Sequence, residues 1–250
     1  MKSKIDLDYL LQKPFTLSEK FHQKTKLVKL AKKETKDKSF DFDRQVRFKS
    51  YARFQEIHLP RPKLDNSNLK ETLLKRRSIR AFSGKKISLG YLSSLLYFSA
   101  GLKTNRSPWQ ADRFYPSAGS RYPLELYVLS LNSQLPKGLY HYYLKNHSLE
   151  KLISFDKFET GAYFKHDWVS QAALVIIISA VFRRNTTKYG DRGYRYLLIE
   201  AGHLGQNIYL TSTALKLSCC SVGGFFDDAL NGLIDIDGIY ESIIYAVAVG

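Results

Sequence analysis

Lys188-Tyr189-Gly190-Asp191-Arg192-Gly193-Tyr194-Arg195-Tyr196, running on into Glu200-Ala201-Gly202-His203, anchors the reading of this chain. From 192 to 217, Tyr194, Leu197, Leu198, Ala201, Ile208, Ala214 and Leu215 recur at three-four spacing, which predicts one long helix. Ala201, Gly202 and Gly205 are small enough for close helix approach, and His203 is expected as a satisfied core histidine. Upstream, 172–182 is almost wholly apolar and β-branched, as a strand buried on both faces should be. Residues 124–131 read as another strand, and 138–144 with 149–153 as a hairpin across Lys145-Asn146-His147. Further strands are expected near 218–225 and 242–249. Ser67 is placed to cap a helix carrying Leu69, Leu73 and Leu74, and Ser88 to cap one over 89–100 that stops at Gly101. Irregular alternation around a central hairpin argues for an α+β layer structure, not a doubly wound parallel sheet.

The 250 residues carry a formal charge of +16, and residues 1–63 alone hold 17 Lys/Arg against 8 Asp/Glu. Residues 1–40 read as a basic amphipathic helical region, with Leu7, Leu10, Leu11, Leu27, Leu30 and Ala31 at helical spacing. Pro14 interrupts it, and 32–38 read as a turn or frayed end. Ile57-His58-Leu59-Pro60-Arg61-Pro62 reads as an extended linker, since each proline disfavours helix before it. The chain therefore divides into a basic, partly helical extension, 1–56, and a domain, 57–250. A solvated basic face explains the extension, as does contact with an acidic peptide leader or acidic lipid. No nucleic-acid-binding motif accompanies the charge, so nucleic acid is not expected as the main partner. No run of eighteen apolar residues suggests a membrane span, and the start leads into no signal-peptide stretch, which makes a cytoplasmic location the expectation. Cys219 and Cys220 are adjacent, which excludes a disulfide framework and leaves two small thiols buried in a strand. No histidine spacing suggests a metal site.

Three segments carry chemistry. Arg76-Arg77-Ser78-Ile79-Arg80 supplies cationic forks and a hydroxyl within five positions, or simply a basic helix end. Pro116-Ser117-Ala118-Gly119, opening Pro116-Ser117-Ala118-Gly119-Ser120-Arg121-Tyr122-Pro123, is a turn without bulk that lets backbone approach a flat ring. Gly223-Gly224 offers the same freedom, or a bulge at a strand end. Lys188-Tyr189 sets an ammonium beside a phenol. A phenol titrating near ~10 needs such a neighbour to serve as a base at neutral pH.

In this order and spacing the segments resemble the nitroreductase superfamily and, within it, the SagB-type dehydrogenases that oxidise azoline rings in peptides. The resemblance covers about residues 57–250. It implies a nitroreductase-like fold with a mixed central sheet flanked by helices. The long helix would lie at the interface of a homodimer, with FMN between two identical chains. It also implies roles: Arg76, Ser78 and Arg80, and to a lesser degree Arg77, on the ribityl phosphate and pyrimidine edge. Pro116, Ser117, Ala118, Gly119, Gly223 and Gly224 would lie near the ring. Arg192 and Arg195 open the long helix and could reach the phosphate or a peptide carboxylate, or bridge to Asp191 and Glu200. Lys188 and Tyr189 are the implied catalytic pair, Tyr189 as base or proton relay and Lys188 tuning it, with the proton's acceptor left open between them. Many nitroreductases pair the FMN phosphate with a basic residue near the C-terminus. None stands near Val249-Gly250, so Arg76, Arg80 or Arg195 is expected to neutralise it. The implied activity converts thiazoline or oxazoline, made from Cys, Ser or Thr in a ribosomal peptide, to thiazole or oxazole. A proton leaves the peptide α-carbon, a hydride goes to flavin N5, and oxygen reoxidises the flavin. The precursor peptide and a cyclodehydratase would be its partners. The alternatives are an NAD(P)H-dependent nitro or quinone reductase on the same fold, or a flavin-poor scaffold of a synthetase complex.

Overall fold

The computed structural model describes residues 16–27, 48–65, 68–103 and 112–250. Its strands are β1 Glu56–His58, β2 Leu124–Ser130, β3 Gly138–Tyr143, β4 Ser148–Ser154, β5 Leu174–Val181, β6 Cys219–Val222 and β7 Glu241–Val249. Its helices are α1 Leu17–Lys24, α2 Leu69–Lys75, α3 Leu89–Ala100, α4 Arg183–Tyr189, α5 Arg192–Ala214 and α6 Asp227–Ile234. The strands form one sheet in the order β1-β4-β3-β2-β5-β7-β6. Side chains alternate across a strand, so β2 and β5 feed two cores. Leu124, Leu126, Val128, Leu174, Ile176 and Ile178 pack beneath α3 and α5, against Leu95, Leu96, Leu197, Leu204 and Ile208. Tyr127, Leu129, Val175 and Ile177 face the other side, which Phe164, Val169, Leu230 and Ile234 close. The α+β layers follow from that division.

The expected mixed sheet is instead antiparallel at every pairing of its strands. Parallel neighbours need a crossover that returns the chain to the same end. Here each partner arrives reversed, and among the described residues the one parallel bridge, Ile87 to Ser133, lies outside the strands. Of the expected linker, 59–62 carry no regular structure, but its start is instead strand: Glu56–His58 pairs with β4 as an edge strand. The segment before it also lies on the sheet. Lys49 Nζ donates to Glu241 Oε2 and Tyr127 Oη, both at 2.8 Å, and the Tyr51 amide donates to Glu150 Oε1 at 2.9 Å.

Asn68 caps α2, its side chain accepting from the amides of Lys70 and Glu71. Ser67, expected as the cap, lies outside the described residues, as do Leu7, Leu10, Leu11, Pro14, Leu30, Ala31 and 32–38. Within the extension, α1 starts at a capping box between Thr16 and Glu19. Ser88 caps α3 as predicted, and Gly101 ends it through a 2.7 Å bond to Tyr97 O. At 23 residues, α5 is roughly 34 Å long and matches the predicted long helix. His203 does not join the core: it is exposed on α5, on the side away from Leu197, Ala201, Leu204 and Ile208. Cys219 and Cys220 are buried, free thiols in β6. Among the described residues no helix is long and apolar enough to cross a membrane.

Candidate active site

Two glycines in the left-handed region assemble the centre of the site. Gly190, at φ +56°, ends α4 with its amide on Thr186 O, so Lys188 and Tyr189 occupy the helix's last turn. Gly119, at φ +61°, sits in a single turn of 3-10 helix, Ala118–Ser120. A Cβ built on Gly119 would stand 2.5 Å from Tyr189 Oη and 3.3 Å from Lys188 Nζ. The predicted turn and the predicted catalytic pair thus meet in space, 69 positions apart for Gly119 and Lys188. Tyr189 packs edge-on against Tyr196 with ring centroids 5.1 Å apart. A Gly119→Ala substitution is expected to cost about 1–2 kcal/mol in backbone strain alone and to displace the phenol from the turn. Thermal melting reads the first effect and turnover rate the second; a variant with wild-type turnover would separate the turn from the chemistry.

A second cation, Arg121, lies beside Tyr189. Its guanidinium is buried, donating from Nη2 to Thr187 Oγ1 at 3.0 Å and from Nε to the carbonyl of Arg184. Burial depresses its pKa, and the charge interaction with Tyr189 opposes that shift. Sequence reasoning passed over Arg121, although it stands inside the quoted turn motif. Ser117 does not offer its hydroxyl outward. It donates to Glu200 Oε2 at 2.7 Å and accepts the Tyr122 amide at 2.8 Å. Pro116 is exposed and Ala118 half-buried in the same turn.

The arginine segment forms a second border. Ile79 donates its amide to Cys219 O at 2.9 Å, which lays 76–80 along β6. Ser78 Oγ lies 3.1 Å from Tyr209 Oη, and Tyr209 reaches Ser221, whose amide donates to it at 2.8 Å. Arg76 sits 5.5 Å from the Tyr209 ring centroid. Arg80 lies over Trp168 at 5.8 Å, Trp168 stacks on His166, and His166 covers Gly224. Arg76, Ser78, Arg80, Gly223 and Gly224 therefore share one edge, in which Tyr209 and Trp168 were not anticipated. Arg77 turns back on its own helix end, donating to Leu74 O and Arg76 O at 2.9 Å.

Arg195 stands at neither border. Its Nη2 donates to His22 O at 2.9 Å, while Arg192 Nη1 donates to Thr25 O at 2.8 Å. Both guanidiniums meet the carbonyl end of α1, where the helix dipole favours cations. This is a different use from the phosphate or Asp191 and Glu200 contacts expected of them.

The two borders are anchored on one helix, Ser117 through Glu200 and Ser78 through Tyr209. Those anchors are roughly 14 Å apart along α5 and about half a turn around it. One chain alone does not gather all the predicted residues at one place. FMN needs cations or amides for its phosphate and open room beside small residues for its ring. The exposed edge of Ser78 and Arg80 supplies the first. At Gly223 no heavy atom lies within 4 Å of an added Cβ, which supplies the second. The residues present fit such a group.

MJ1384 of Methanocaldococcus jannaschii, a protein named for nitroreductase, is 35% identical over 187 residues, covering 72% of this chain and 90% of its own. The Microcin B17-processing protein McbC of Escherichia coli is 24% identical over 160 residues, 61% of this chain and 58% of McbC. A solved nitroreductase-type structure from Anabaena variabilis aligns at TM-score 0.73 and 29% identity, over 93% of this chain and 45% of that one. The E. coli McbBCD microcin synthetase complex, solved with truncated pro-MccB17 bound, contains a chain of the same fold. That chain aligns at TM-score 0.58 and 21% identity, over 77% of this chain and 76% of its own. With the Nitroreductase family profile matching residues 73–250 and the antiparallel sheet and long helix in place, the chain belongs to the nitroreductase family.

Proposed function

We propose that this protein is an FMN-dependent azoline dehydrogenase of SagB type, acting on thiazoline or oxazoline rings in a ribosomally made peptide. The observation that carries the reading is the contact of the glycine turn with the tips of Lys188 and Tyr189. Reducing a nitro group or a quinone needs no base to deprotonate carbon. Aromatising an azoline does, because a proton must leave the α-carbon as the hydride leaves the adjacent ring carbon. FMN, when bound, supplies the two-electron acceptor, with oxygen reoxidising it. Arg76, Ser78 and Arg80 would hold the phosphate end, and Gly119, Gly223 and Gly224 would admit the ring. Tyr189 takes or relays the proton, and Lys188 with Arg121 sets the positive field around the phenol.

A homodimer completes the site in this reading. Leu69, Leu73 and Leu74 of α2 are 66%, 51% and 64% exposed, and Leu198 and Ile199 of α5 are also exposed. Apolar groups of that size on adjoining helices suit a second copy, which would bring one chain's arginine edge to the other's turn. McbC's name and the McbBCD synthetase complex with pro-MccB17 bound support a peptide substrate and peptide-modifying partners, among which this reading expects a cyclodehydratase. The second reading, an NAD(P)H-dependent nitro or quinone reductase, draws on the name of MJ1384.

Anaerobic titration of the flavin absorbance separates the two. An azoline-containing peptide should bleach the bound flavin while NADPH leaves it oxidised. Bleaching by NADPH alone would hand the protein to the reductases. A preparation that takes up no FMN would leave only the scaffold role.

A further inference from the structure

The inner face of α5 is apolar or small at Leu197, Ala201 and Leu204, yet Glu200 stands among them at 2% exposure. A carboxylate in such a place is costly unless a partner holds it. Its Oε2 accepts the Ser117 hydroxyl at 2.7 Å, and the same Ser117 oxygen accepts the Tyr122 amide at 2.8 Å. Glu200, Ser117 and Tyr122 thus close a loop around the Ala118–Ser120 turn. Within that loop Gly119, Ser120 and Tyr122 have φ of 61°, 53° and 45°. The two non-glycine residues keep a left-handed backbone only where surrounding bonds hold it. Glu200 Oε1 is buried and has no hydrogen-bond partner among the described residues.

We propose that Glu200 is a positioning residue, acting through the Ser117 hydroxyl to hold the glycine turn against the tips of Lys188 and Tyr189. The proposal rests on reading that turn and that pair as the reaction site. Arg113 and Arg184 face the carboxyl with positive charge, and Tyr115 and Tyr122 are the phenols that feel it. Burial nevertheless pushes the carboxyl up to about 7, against the Ser117 bond and the two arginines. Its ionised form is the stronger acceptor for Ser117, so the turn is held more firmly above neutrality than below it.

Amide hydrogen exchange of the segment 116–122, followed by mass spectrometry on the FMN-loaded full chain, tests this without any substrate. After correction for intrinsic rates, the Tyr122 amide in the wild type should exchange faster at pH 6 than at pH 8. Glu200→Gln should remove that pH dependence, and Glu200→Ala should speed exchange roughly tenfold at both pH values, as loss of one buried acceptor predicts. Turnover should follow, with kcat reduced in Glu200→Ala, KM unchanged, and the neutral-range pH step absent in Glu200→Gln. Wild-type exchange across 116–122 in Glu200→Ala would overturn the proposal. If that variant does not fold, a wild-type pH dependence of exchange in Glu200→Gln overturns it equally. Failure of the azoline reading would leave the exchange result intact, so the two can be told apart.

Discussion

Tyr189→Phe is expected to lower kcat for azoline oxidation by about 10²–10⁴, the usual range for losing a positioned acid–base group. That corresponds to roughly 3–5 kcal/mol of transition-state stabilisation. The substitution is conservative in every other respect. A phenylalanine ring keeps the edge-on contact with Tyr196 and the place under Lys188, whose Nζ lies 5.4 Å from the ring centroid. Only the hydroxyl is lost, and the hydroxyl is the atom that meets Gly119. FMN content and KM should therefore stay near wild type while single-turnover bleaching by the azoline peptide slows. Lys188→Met should fall less far, because Arg121 remains beside the phenol. Flavin loss in Tyr189→Phe would move the residue into cofactor binding, and a rate within threefold of wild type would remove it from the chemistry altogether.

Most of the sheet was legible because its signal is local. The strand at 172–182 and the hairpin at 138–153 announce themselves through β-branched runs and a polar turn, and they appear within a residue or two of their expected ends. The short helix α4 was not legible. Arg183–Tyr189 is polar, has no side-chain N-cap bond, and is held by distant partners: Arg184 on Glu125 and Asn185 under Gly193. Lys188 and Tyr189 thus close a helix that no local signal marks. His203 was legible and misread. Leu197, Ala201, Leu204 and Ile208 define the buried stripe, and His203 falls on the far side of that wheel. Glu200 falls on the stripe itself, a carboxylate at a core position, and that conflict was the available signal for its role.

The same blindness hid the charges that fasten α4 to the sheet, and Glu125→Ala is expected to cost about 3–5 kcal/mol of folding stability. Glu125, His141 and Glu150, on β2, β3 and β4, are charged or titratable and yet buried. Arg184 Nη1 donates to Glu125 Oε1 at 2.5 Å, and His141 bridges Glu125 at 3.4 Å and Glu150 at 2.7 Å. Charge alternates along that line from α4 into the sheet. Burial pushes the Glu125 carboxyl up, but Arg184, His141 and Arg113 outweigh it and hold the carboxyl well below its ordinary value. Burial likewise opposes charge on His141, and the two carboxylates outweigh it and raise its pKa. Deleting Glu125 leaves a guanidinium and an imidazolium buried without their shared partner. For a domain of this size the loss is a drop of roughly 6–20 °C in Tm. The sign with pH follows from linkage. Glu125 contributes stability that is present above the ordinary carboxylate value and lost as pH falls toward its depressed one. His141 contributes below its ordinary value and loses the contribution as pH rises through its raised one. The gap in Tm between wild type and Glu125→Ala should therefore be widest near neutrality and shrink on acidification; a gap that stays constant down to pH 3 would show that the carboxylate's charge is not what holds α4. Because Arg184 shares α4 with Lys188 and Tyr189, the proposed catalytic pair, the surviving folded fraction should also turn over more slowly. The fall in kcat should track the loosening of Arg184, not the overall loss of stability, and a second variant of equal Tm but distant site, such as a cavity at Leu230, should keep its rate.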